Sequence, residues 1–163
     1  MRLSYKILMA IMLMIIFVGN NNKFNVEASS YKAMCTIAED GTVLYEYNKD
    51  VRLPMASTKK ILTALVALNE SDLDRELTVT KNAASIRGSK VGYRAGENIK
   101  LRELLYGLML KSGNDAAITI AEGLGGSIEN FSKIMNHYAT SLGLTSSHFQ
   151  SPHGLDSQKH YSS

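Results

Sequence analysis

Cysteine is nearly absent from this chain: Cys35 stands alone, which excludes an intrachain disulfide and reads as a buried thiol on a strand. A surplus of one charge is lacking too, since 18 Lys and Arg face 15 Asp and Glu for a net of +3. Setting aside residues 1–28 removes Arg2, Lys6, Lys23 and Glu27 and brings the balance close to zero. Such a chain offers no electrostatic footprint for nucleic acid, so the pI near 8.9 points to no partner. A membrane-length apolar run is missing as well. Ile7 to Val18 is unbroken but falls short of the about 20 residues a span needs. His148, His153 and His160 lack the His-Glu-x-x-His spacing of a helical metal site and fall in a loop-like stretch. No internal repeat or low-complexity tract occurs.

What the apolar run does resemble is an export signal. Arg2 and Lys6 precede it, small and polar residues follow, and Val26-Glu27-Ala28 ends it. Residues 1–28 are therefore expected to be a signal peptide and residues 29–163 a single exported domain. The alternative is an uncleaved segment that holds the chain at the membrane surface.

Ala33 to Ala38 and Thr42 to Tyr47 are rich in β-formers and flank Glu39-Asp40-Gly41, which predicts an antiparallel hairpin. Lys60 to Leu68 is apolar nearly all round and predicts a helix buried on most sides. Glu76 to Thr80 alternates like a strand, and Lys81 to Ile86 fits a single helical turn. Gly88, Gly92 and Gly96 mark a loop-rich stretch. Leu101, Leu104, Leu105, Leu108 and Met109 then recur at helical spacing, followed by helices over Asp115 to Glu122 and Ile128 to Leu142. Strands followed by consecutive helices give an α+β class.

Ser57 and Lys60 stand three residues apart where the first apolar helix opens, a spacing that puts hydroxyl and amine on one face. Serine is a weak nucleophile near neutral pH, and a lysine can deprotonate it only when partly neutral itself. Apolar surroundings favour that neutral form. The demand is a fall from about 10.4 to about 7 or 8 in the lysine pKa. The plain alternative makes Ser57 an N-cap, although a capping box would want Glu or Gln where Lys60 stands. Ser29 and Lys32 share the spacing without an apolar run behind them. At the next helix junction, Ser112-Gly113-Asn114 can aim short polar side chains into a cleft, or can equally be a glycine C-cap followed by an asparagine N-cap.

The two sites taken together, Ser-x-x-Lys and then Ser-x-Asn, form the paired signature of penicillin-recognising serine enzymes. The segments Pro54 to Lys60, Tyr106 to Ala117 and Ser151 to Asp156 resemble serine-type D-alanyl-D-alanine carboxypeptidases, the low-molecular-mass penicillin-binding proteins. The resemblance runs from about Tyr31 onward. It implies a β-lactamase/transpeptidase-like fold, no cofactor and no metal. It also implies as substrate a peptidoglycan stem peptide ending in D-Ala-D-Ala, with β-lactams as covalent inhibitors. By the same resemblance Ser57 would be the nucleophile and Lys60 its base. Ser112 would relay a proton to the leaving D-alanine, and Asn114 would orient Lys60 and bind the substrate amide.

The family's third motif, Lys-Thr-Gly on a strand, does not occur in these residues. The near match Lys111-Ser112-Gly113 overlaps the second motif. The expectation is thus a truncated carboxypeptidase, lacking the core strands of the second half and inactive or unstable alone. Two other functions compete: a β-lactamase-like hydrolase, against which Gly113 and Pro152-His153-Gly154-Leu155 argue, and a noncatalytic cell-wall peptide-binding fragment.

Overall fold

A turn around Asp40 closes the first hairpin of the chain: its carboxylate accepts the Thr42 N–H at 2.9 Å, and Ala38 N–H donates to Thr42 O at 2.8 Å. The computed structural model describes residues 31–155 and 161–163, so the expected signal peptide lies outside the described residues. Residues Ala33–Ser163 form one compact unit. The turn joins β1 (Met34–Ile37) to β2 (Val43–Tyr47) in an antiparallel pair whose register runs Met34↔Tyr47, Cys35↔Glu46, Thr36↔Tyr45.

All of β2 and most of β1 are exposed, including Leu44, Tyr45 and Tyr47. Cys35 is on the predicted strand but exposed, which corrects the expectation of a buried thiol. Burial of a hairpin residue requires a layer on its face, and none is present among the described residues.

The helical part is better covered. A 3₁₀ turn over Ala56–Lys59 leads into α1 (Lys60–Glu70), followed by β3 (Glu76–Thr78) and α2 (Lys81–Ser85). A strand β4 (Asn98–Lys100), unforeseen in the glycine-rich stretch, pairs with β3 in the register Leu77↔Ile99. Then come α3 (Leu101–Leu110), α4 (Asn114–Gly125) and α5 (Ile128–Ser141). Side-chain hydroxyls cap two of the helices. Thr80 Oγ1 accepts from Ala83 N–H on α2, and Ser127 Oγ from Asn130 N–H on α5, both at 3.0 Å.

Helix α4 is the centre of the packing, with Asn114 through Ala121 all buried. Val66 and Ala67 of α1, Leu101, Leu104 and Leu108 of α3 and Phe131 and Met135 of α5 close around it in one apolar cluster. One stripe of α1 escapes: Ile61, Leu65 and Leu68 are 61, 37 and 53 % exposed. The helix is thus buried on most sides, as expected, with this stripe left open. Ile61, Leu65 and Leu68 together make an uncovered apolar face along it. Leu68 also lines a groove of about 410 Å³ with Leu73, Leu105 and Met109.

Candidate active site

Three short polar contacts bring the two sequence motifs together. Lys60 Nζ donates to Ser57 Oγ at 3.2 Å and to Ser112 Oγ at 3.1 Å. Ser112 Oγ in turn donates to Ser57 Oγ at 2.9 Å, closing a triangle. Lys60 is the first residue of α1 and is 3 % exposed, whereas Ser57 on the preceding turn is open to solvent. Removal from water disfavours the ammonium and lowers the Lys60 pKa from its ordinary value.

The turn that presents Ser57 is held by its own polar groups. Thr58 donates to Met55 O through both its hydroxyl, at 2.6 Å, and its N–H, at 3.2 Å. Ser57 is not an N-cap: no side-chain cap bond exists at this turn or at the start of α1. Ala56, which precedes Ser57, and Ser112, itself a corner of the triangle, both take left-handed backbone conformations, with φ of 46° and 52°. Non-glycine residues in that region store strain, and such residues gather at functional sites.

Asn114 opens α4 and is 3 % exposed. Its amide donates to the Arg87 carbonyl at 2.8 Å, and its N–H donates to Ser89 O at 2.8 Å. It thus ties the junction to the loop before β4. No Asn114–Lys60 hydrogen bond forms among the described residues. The N-cap of α4 is Gly113, not Asn114.

Asp115 went unnoticed in the sequence, where nothing local distinguishes it from a first-turn helix acid. It is fully buried. Its Oδ1 accepts from Val91 N–H at 3.0 Å and Ala116 N–H at 2.9 Å, and its Oδ2 from Gly92 N–H at 2.8 Å and Tyr93 N–H at 3.2 Å. One carboxylate thereby fixes the loop beside the triangle. Asp115→Ala leaves these donors unpaired, and a loss of about 3 kcal/mol is expected in denaturant unfolding. Tryptic cleavage at Lys90 or Arg94 should quicken in parallel.

The histidines do not assemble. His148 pairs across a short bridge with Tyr161, while His153 sits half-buried near Lys60 and Lys59. His160 lies outside the described residues, and among those described no group of three metal-ligating side chains occurs. No described helix is long and apolar enough to cross a membrane.

Comparison with known proteins fits this geometry. The family described as D-alanyl-D-alanine carboxypeptidase matches residues 19–163. The chain is 38 % identical over 142 residues to the D-alanyl-D-alanine carboxypeptidase DacF of Bacillus subtilis, covering 83 % of this chain and 36 % of that protein. With DacB2 of Mycobacterium tuberculosis it shares 43 % over 118 residues, covering 72 % and 40 % respectively.

Among solved structures, the carboxypeptidase DacD from Francisella tularensis superposes with a TM-score of 0.75 at 34 % identity, over 82 % of this chain and 34 % of that one. The M. tuberculosis D-alanyl-D-alanine carboxypeptidase gives 0.74 at 35 % identity, over 83 % and 55 %. The fold is accordingly that of the penicillin-binding peptidases, and the chain spans about a third to just over a half of the length of these relatives. By sequence and by fold, the chain belongs to the D-alanyl-D-alanine carboxypeptidase family.

Proposed function

We propose that the chain carries the acylating half of an exported serine D-alanyl-D-alanine carboxypeptidase, acting on peptidoglycan stem peptides. The observation that supports this most directly is the triangle of Ser57, Lys60 and Ser112 at 2.9 to 3.2 Å around a buried amine. A neutral Lys60 takes the Ser57 proton as Oγ attacks the carbonyl between the two D-alanines. The tetrahedral intermediate collapses to a Ser57 ester, and Ser112, bonded to both partners, passes the proton to the departing amine. Water then cleaves the ester and restores Ser57. A β-lactam enters at the first step, opening its ring on Ser57 Oγ, and stalls as the acyl-enzyme.

Asn114 holds the junction rigid through Arg87 and meets the substrate amide from there. The Ser57 N–H supplies one donor for the developing oxyanion. Its usual companion in a Lys-Thr-Gly strand is not encoded in these 163 residues. Loss of one such donor costs about 10²- to 10³-fold in rate.

The test is prolonged incubation of the purified chain with a fluorescent penicillin, read by intact mass. One penicilloyl group per molecule is expected, absent in Ser57→Ala. A folded chain that takes no adduct, or an adduct that survives in Ser57→Ala, overturns the proposal. Rapid turnover of a chromogenic cephalosporin would assign the site to a β-lactamase instead.

A further inference from the structure

Residues 152–155 form a strap across the turn that carries Ser57, and the strap is fastened at three points. Upstream, Asn136 of α5 accepts the Phe149 N–H at 3.0 Å and donates to Phe149 O at 2.7 Å. The buried Thr63 hydroxyl of α1 then donates to Pro152 O at 2.8 Å. Gly154 comes so near that a Cβ built on it would stand 2.1 Å from the Ala56 carbonyl oxygen.

Between the last two fastenings sits His153. Its Nδ1 accepts the Leu155 N–H at 3.1 Å, so the neutral ring carries its proton on Nε2. Burial, followed by the charges of Lys60 and Lys59, pushes this imidazole down to about 4. The ring is therefore uncharged wherever the Lys60 amine can act as a base. Those two lysines are the charged groups that bear on it. Uncharged character matters here, because a carboxylate in the same place would favour the ammonium form of Lys60 and withdraw it from proton abstraction.

We propose that His153 is a positioning residue for Lys60: its neutral ring closes the strap side of the amine, excludes water, and sets no counter-charge beside it. The proposal rests on the reading of Lys60 as the base for Ser57. It gives the strap a role in tuning the base in addition to shaping the cleft.

Two isosteric variants separate tuning from mere support. The Leu155 N–H can be accepted by a short side-chain oxygen two residues before it, the geometry of an Asx turn. His153→Asn and His153→Asp both keep that bond, and only the second adds a charge. In the full chain with isotope-labelled lysine, the Lys60 resonance is assigned by its loss in Lys60→Arg and titrated by NMR. Relative to the unsubstituted chain, its midpoint is expected to rise by about one unit in the Asn variant and by about two units in the Asp variant. Unchanged midpoints, or equal shifts in the two variants, overturn the proposal.

Should both variants fail to fold, imidazole nitrogen spectra of the unsubstituted chain decide. A His153 ring protonated on Nε2 and not titrating above about pH 5 supports the proposal, whereas titration near the ordinary value of about 6.5 overturns it. A Lys60 midpoint that moves as expected in a chain that forms no penicillin adduct supports the positioning role and removes Ser57 as the nucleophile.

Discussion

Replacing Lys60 by methionine is expected to slow penicillin acylation of Ser57 by about 10²- to 10⁴-fold and, at the same neutral pH, to raise the melting temperature. The two effects have one cause. Lys60 is 3 % exposed, and its amine donates to two hydroxyls but to no carboxylate among the described residues. Burial lowers its pKa, so the native state binds fewer protons than the unfolded chain between the lowered value and the ordinary 10.5. Stability therefore rises with pH through that window. The destabilising contribution is complete below the window and gone above it. Methionine fills similar space with no charge to desolvate, and the pH dependence contributed by Lys60 should vanish from the melting curve. Acylation rates and melting temperatures measured across that range check both halves. A Lys60→Met chain that acylates at the original rate, or that melts lower at neutral pH, contradicts the account of a desolvated base.

The first contact of this site was legible in the sequence because it is local. Ser57 and Lys60 are three residues apart, and the apolar run behind them announces the helix that buries the amine. Ser112 was a different matter. Nothing in residue spacing brings it across the intervening residues to Ser57, and only the resemblance to known peptidases joined the motifs.

Long-range contacts are where sequence reading failed. Asp115 looks like any acid in a first helical turn, yet its four backbone partners include Val91, Gly92 and Tyr93. Strand β4 has three residues, too few for alternation to show, and exists because β3 offers an edge to pair with. His153 lies in a loop-like stretch where no local spacing marks it as a neighbour of the Ser57 turn. The strap that carries it is held against the Ser57 turn by hydrogen bonds from Asn136 to Phe149 and from Thr63 to Pro152, on two other elements. The misjudged burial of Cys35 has the same origin, since periodicity tells which face of a strand is apolar but not whether anything covers it.

Gly154→Val is expected to cost about 4 kcal/mol of stability, a sum of backbone strain and overpacking. Gly154 is buried with φ of 91°, a conformation that a β-branched residue adopts only under strain. Its Cβ would also meet Ala56 O at 2.1 Å, Ala56 C at 2.7 Å and Ser57 N at 3.2 Å. These are backbone atoms of the turn that aims the nucleophile, and they cannot swing aside as a side chain would. Ala56 is itself left-handed at φ 46°, so the turn has little freedom to retreat.

Relief must come through movement of Ser57 or release of the strap, and either opens the triangle. Gly143 provides the control. Its φ is 76°, but no atom lies within 4 Å of a Cβ built there, so Gly143→Ala carries only the left-handed penalty of about 1 to 2 kcal/mol. Urea unfolding of the two variants should therefore separate them by about 2 kcal/mol or more, with acylation lost in Gly154→Val and kept in Gly143→Ala. Equal destabilisation would mean that the strap yields without moving the turn, and that its close approach to Ser57 does not hold the nucleophile in place.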